Sequence, residues 1–159
     1  MEVCTRAESE TLALAERVAT LLVPGDVIVL SGDLGAGKTV FAKGLCRGLG
    51  VEEPVVSPTF TIVREYEGRV RVLHLDVYRL DHVQEMIDLG LDEQLDGDVV
   101  AIVEWGEAVG ALLPPDRLEV RLAALPPEEA DDDTRVVSLV PVGPSWCARS
   151  AALAELAAA

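Results

Sequence analysis

Gly32-Asp33-Leu34-Gly35-Ala36-Gly37-Lys38-Thr39 reads G-x-x-x-x-G-K-T, the spacing of a phosphate-binding loop. Each residue type has a physical reason to be there. Glycine lacks a Cβ, so the backbone can turn sharply and come close to an anion. The amides of such a loop point inward at phosphate oxygens. A helix starting at its end adds partial positive charge. Lys38 would neutralise the β- and γ-phosphates, and the Thr39 hydroxyl would be a ligand for magnesium. Two carboxylates stand where they could join them. Asp76 ends the run Val72-Leu73-His74-Leu75, and Glu104 ends Val99 to Val103. Open α/β sheets bind ligands beyond the carboxyl ends of their strands. An acid just after an apolar strand is where a phosphate-loop protein keeps its metal-facing carboxylate. Glu104 has the cleaner context, because its strand is wholly apolar. In Ser57-Pro58-Thr59, a threonine hydroxyl ahead of a strand could sense a γ-phosphate; the same triplet also reads as an ordinary turn. His74, on an alternating strand, reads as a structural histidine. Trp105 packs either beside a nucleotide or in the core.

Those residues need a strand before the loop and a helix after it. Val27-Ile28-Val29-Leu30 is a β-branched apolar run that reads as a buried strand. Phe41, Leu45 and Leu49 recur at helical spacing, with Gly48 and Gly50 as stop signals. Upstream, residues 2–5 suit a short strand. Leu12, Leu14, Ala15, Val18, Leu21 and Leu22 predict an amphipathic helix capped by Ser9 or Thr5. Downstream, Phe60–Tyr66 and Arg69–Asp76 alternate on either side of Glu67-Gly68, a hairpin pattern. A short helix is expected over 82–89, a helical turn over 107–113, and further strands at Leu118–Leu122 and Val136–Val140. Apolar parallel-type strands mixed with alternating ones predict an α/β, P-loop NTPase-like three-layer fold with a mixed, mainly parallel central sheet. Residues 1–142 form the P-loop domain. Residues 143–159 are an Ala-rich C-terminal tail, either a weak terminal helix or frayed.

The bulk numbers narrow the function. A chain of 159 residues is one domain by size. Aromatics are only 4%, so the core must be built from Val, Leu, Ile and Ala. A net charge of -15 does not suit broad contact with nucleic acid, whose phosphates require Lys and Arg. Cys4, Cys46 and Cys147 lack zinc spacing and suit reduced thiols in the cytosol, Cys46 as core. No apolar run has the length of a membrane span and no signal peptide is apparent, so a cytoplasmic protein is expected.

Four segments together resemble the TsaE (YjeE) family: the phosphate loop, Ser57-Pro58-Thr59-Phe60, His74-Leu75-Asp76-Val77-Tyr78-Arg79-Leu80 and Val103-Glu104-Trp105. The resemblance runs from about residue 8 to residue 140. It implies a bacterial ATPase that supports synthesis of threonylcarbamoyladenosine beside the tRNA anticodon. TsaB and TsaD would be its protein partners, and tRNA would be met only through their complex. Hydrolysis of ATP would reset the TsaB–TsaD pair between turnovers. Carried over by position, Gly35, Ala36, Gly37, Lys38, Thr39 and Val40 wrap the phosphates, and Thr39 with Glu104 holds Mg2+. Lys38 and Asp76 would serve hydrolysis, Asp76 as a base or as a support for the attacking water. Thr59 would be the switch-like hydroxyl, and Glu8 would border the nucleotide. The segment Asp131-Asp132-Asp133-Thr134-Arg135 departs from the Gly-Arg such proteins carry there, although Arg135 could serve. Two rivals fit the residues: a small-molecule kinase, and a nucleotide-dependent binding module with negligible hydrolysis. Only two lysines and no N-K-x-D string favour an ATPase over a kinase or a GTPase.

Overall fold

The most apolar segments of the chain occupy the middle of a seven-stranded sheet. The structure, a computed structural model, describes residues 1–58, 62–78, 88, 90–95, 97–125 and 133–158. Strands β1 (Glu2–Thr5), β2 (Val27–Ser31), β3 (Val63–Tyr66), β4 (Arg71–Asp76), β5 (Val99–Glu104), β6 (Arg117–Ala124) and β7 (Arg135–Val142) lie in the order β1-β7-β6-β2-β5-β4-β3. The four central strands, β6-β2-β5-β4, are mutually parallel. β5 is buried along its whole length, as a strand covered on both faces must be. The flanking pairs β1–β7, β7–β6 and β4–β3 are antiparallel. The expected mixed sheet with a parallel centre is therefore present.

Helices α1 (Glu8–Ala19) and α2 (Lys38–Gly48) cover one face. Leu14, Val18, Phe41 and Leu45 meet Ile28, Leu30, Val100 and Ile102 there. On the other face, Val29, Leu73, Leu75, Ala101 and Val103 pack with Leu95 and Leu113. Leu95 ends α3 (Leu91–Leu95), and Leu113 follows a 3-10 helix over Gly106–Leu112 that matches the turn expected at 107–113. Cys46 is fully buried on α2, and burial pushes its thiol up to about 12, so it stays protonated core.

Several expectations are corrected. Neither Thr5 nor Ser9 caps α1. Ala7 holds the N-cap position without a side-chain bond, while Glu10 accepts from the Arg6 amide at 2.8 Å. The Thr5 hydroxyl instead meets that of Thr11, at 2.7 Å. Gly48, read as a stop signal, is the last residue of α2. A Cβ at Gly44 would stand 2.6 Å from the Ala15 Cβ, and one at Gly48 2.5 Å from the Ala19 Cβ. The two glycines thus let α1 and α2 approach, and Gly50, at φ +81°, makes the turn that follows. β3 begins at Val63, because Ile62 has φ 68°, incompatible with an extended strand. Phe60 and the helix expected over 82–89 fall largely outside the described residues. Arg69 precedes β4 and donates to the Ala19 and Leu22 carbonyls at 2.7 and 3.0 Å, closing the end of α1.

Beyond Gly143 the chain forms α4 (Pro144–Ala148) and α5 (Ser150–Ala158). Trp146 and Leu153 are fully buried in the α1–α2 core. Asp116 accepts from the Ser145 and Trp146 amides at the start of α4, and the Ser145 bonds hold its carboxyl below the usual range. Arg149 grips Asp26 with two bonds of 2.7 Å and stacks over the Trp146 ring. Of the two expected alternatives for the tail, the helical one is observed. No helix among the described residues is long and apolar enough to cross a membrane.

Candidate functional site

Strands β2, β4 and β5 bring their carboxyl ends to one place. The loop after β2 turns through Gly35 at φ +78° and Gly37 at φ +101°, angles that side chains with a Cβ rarely adopt. This curls the loop into a concave run of amides ahead of α2. No protein atom lies within 4 Å of where a Gly35 Cβ would stand, so an anion can come up against the backbone. α2 starts at Lys38, with its first helical bond from the Phe41 amide to the Gly37 carbonyl.

Lys38 is buried. Its ammonium donates to the Gly32 and Asp33 carbonyls at 2.6 and 2.8 Å and lies 3.6 Å above the Trp105 ring. The Thr39 hydroxyl faces both oxygens of Glu104, at 3.1 and 3.2 Å. β4 and β5 run in parallel with Asp76 opposite Glu104, so the two acids stand side by side at the strand tips. Asp76 accepts from the Tyr78 amide at 3.0 Å and from the Ser57 hydroxyl at 3.5 Å. A cavity of about 280 Å³ is lined by Gly35, Gly37, Lys38, Thr39, Val40, Ser57, Asp76, Glu104 and Trp105. That volume lies below the ~300–1,000 Å³ of whole-ligand pockets and suits the phosphates of a nucleotide.

The residues present fit a hard divalent cation. Magnesium takes few protein oxygens and fills its shell with phosphates and water. A hydroxyl facing a carboxylate, with a second carboxylate beside it, supplies those oxygens. Among the described residues no cluster of three His, Cys, Asp or Glu side chains is arranged to hold a metal alone.

Across the loop lies a second cavity of about 150 Å³, lined by Glu8, Thr11, Gly35, Gly37, Val40, Asp133 and Arg135. Glu8, expected near the nucleotide, is there, exposed at the start of α1. Arg135 reaches the loop from β7, donating to the Ala36 carbonyl at 3.2 Å. Thr59 lies outside the described residues; its neighbour Ser57 is at the cavity.

Sequence reading missed one partnership. His74 Nε2 lies 2.7 Å from Glu104 Oε1, with both side chains buried. The available signal was the even spacing His74–Asp76, which puts both on one face of β4, but only the register with β5 reveals what they meet. Trp105 answers to both expected alternatives: it lines the cavity and also packs against the second core cluster, with φ 62° directly after Glu104 and its ring centre 4.8 Å from that of Tyr78.

Comparison with known proteins finds relatives over most of the chain. The family model described as "Threonylcarbamoyl adenosine biosynthesis protein TsaE" matches residues 5–133. The chain is 45% identical to the tRNA threonylcarbamoyladenosine biosynthesis protein TsaE of Bacillus subtilis, over 84% of this chain and 81% of that protein. It is 43% identical to the protein of the same name from Streptomyces coelicolor, over 84% of this chain and 91% of the other. Among solved structures, the crystal structure of Bacillus subtilis YdiB matches with a TM-score of 0.82 and 37% identity, covering 98% of this chain and 94% of that one.

Proposed function

The chain belongs to the TsaE family, and on that premise we propose that it is a Mg2+-dependent ATPase of tRNA threonylcarbamoyladenosine biosynthesis, which binds and resets a TsaB–TsaD complex in the cytoplasm. The observation that carries the reading is the Thr39 hydroxyl set against the Glu104 carboxylate beside the phosphate loop, with Asp76 on the neighbouring strand tip. The loop amides and the start of α2 would bind the β- and γ-phosphates. Lys38 would leave the Gly32 and Asp33 carbonyls for the phosphate oxygens, a stronger charge-assisted partner. Thr39 and Glu104 would hold the cation. Magnesium, when bound, supplies neutralisation of the charge that develops on the phosphate oxygens. Asp76 would orient or deprotonate the attacking water. The nucleoside would extend toward the cavity of Glu8, Thr11 and Arg135. Thr59 and Ser57 would belong to a segment ordered by the γ-phosphate and released by hydrolysis. With a net charge of -15, the chain would reach tRNA only through its protein partners.

The kinase alternative is disfavoured by the lining of the main cavity. Among the described residues Lys38 is its only basic side chain, whereas a kinase clamps the moving phosphoryl group with several. The test is ATP turnover with and without TsaB and TsaD. The native chain is expected to turn over slowly alone and faster with the pair. Lys38→Ala and Glu104→Ala should each lose on the order of 100-fold. Full turnover by both variants would refute the site. Phosphorylation of a metabolite by the native chain would establish the kinase instead.

A further inference from the structure

We infer that His74 is a positioning residue, which fixes the rotation of the Glu104 carboxylate so that its other oxygen is presented to the cation. The inference rests on the site reading above. Glu104 is buried, and a carboxylate out of water needs donors. Among the described residues it has two: Thr39, which faces both oxygens, and His74, which meets Oε1 alone at 2.7 Å. A carboxylate that holds a cation only accepts, so in that state the imidazole Nε2 is the donor of this contact. Thr39 has one proton to give and lies almost equally far from the two oxygens, at 3.1 and 3.2 Å, so it does not by itself select the carboxylate's rotation. His74 does, because it meets Oε1 alone from two residues back along β4 and is not among the residues that line the cavity.

The fold makes this grip rigid. His74 is opposite Ile102 in the β4–β5 register, so Glu104 is its diagonal neighbour on the same face of the sheet. The ring is fully buried and packs near Tyr66, with centres 6.4 Å apart. Its Nδ1 has no hydrogen-bond partner among the described residues, so every directional bond the ring makes there goes to Glu104. A purely space-filling position would be filled at lower desolvation cost by leucine, as Leu73 and Leu75 are on either side.

The experiment measures ATP affinity of the full chain with Mn2+ and in EDTA, alongside Mn2+ affinity by electron paramagnetic resonance. His74→Leu is expected to weaken the Mn2+-dependent affinity at least about 10-fold, the usual effect of losing a bond to a metal-holding carboxylate. Affinity in EDTA should be unchanged. His74→Gln, which restores an N–H donor, should recover most of the loss. In the native chain, nitrogen NMR should find the proton on Nε2 of His74, and its resonance should move when Mg2+ and ATP are added. A His74→Leu chain with the native metal requirement, or an Nε2 without a proton, would overturn the inference alone. If His74→Leu does not fold, the NMR result on the native chain decides. A native chain with no metal-dependent ATP affinity would overturn the site reading and this inference with it.

Discussion

Lys38 and Trp105 form a contact that ligand binding should break. The ammonium sits 3.6 Å over the indole, and the loop carbonyls at 2.6 and 2.8 Å hold it there. A cation over an indole is worth ~0.5–2 kcal/mol, less than a charge-assisted bond to phosphate in a desolvated cleft. ATP should therefore draw Lys38 off the ring and change Trp105 emission. Trp105→Phe should abolish the change, because the other tryptophan, Trp146, is buried beside Arg149 in the C-terminal segment. Emission that does not respond in the native chain would mean that Lys38 stays where it is. Trp105 itself takes φ 62°, a conformation that costs a bulky residue about 1–3 kcal/mol. Its amide bond to Leu30 and its ring contact with Tyr78 hold it. The motif string identified Lys38 and Thr39, but it gave no sign of the aromatic surface against which Lys38 rests.

At the scale of elements, the site depends on how closely α1 and α2 lie together, since α2 carries Lys38 and Thr39 at its first turn. Gly44 and Gly48 face Ala15 and Ala19 across that contact. Alanine at Gly44 would gain up to about 1 kcal/mol of helix propensity. It would also force a Cβ to 2.6 Å from both the Ala15 Cβ and the Leu12 carbonyl oxygen, and such overpacking costs about 1–3 kcal/mol. The overlap involves backbone, which cannot swing aside, so Gly44→Ala should lower stability by about 1–2 kcal/mol in urea unfolding. A stabilised variant would show that the helices can part at little cost. Periodicity marked both helices correctly. It placed Gly48 at the end of α2, where it lies, but gave no sign that the same glycine also packs against Ala19, because close packing shows only once the partner helix is known.

At the scale of the molecule, the C-terminal segment is tied to the start of the central strand β2, at the end away from the site. Arg149 pairs with Asp26, which directly precedes β2, and also donates to the Leu21 carbonyl. Asp26 is buried, so removing Arg149 takes away its countercharge and leaves it the Val23 amide as a donor. Arg149→Met should cost roughly 2–4 kcal/mol, read as a lower midpoint in thermal or urea unfolding. ATP affinity should barely change, because β2 presents its other end to the phosphates. A large loss of affinity at full stability would mean that the two ends of β2 are coupled. Full burial of Leu153 adds ~1.5–3 kcal/mol to the same anchorage. An Ala-rich tail offers little pattern from which to read this. Trp146, Leu153 and Leu156 are the few large apolar residues among many alanines, too sparse to set up a strong periodicity.

By itself the amino-acid sequence determined the phosphate loop, the strand before it, the helix after it and the acids at two strand tips. Those features are local, since glycine spacing, side-chain periodicity and a terminal carboxylate are all written within a few consecutive residues. Tertiary structure alone decided that β5 lies between β2 and β4 and that Asp76 stands opposite Glu104. It also decided that Glu104 is held by a histidine 30 residues away and a threonine 65 residues away. Strand order and register come from packing summed over the whole sheet, and no single segment encodes which neighbour it will meet.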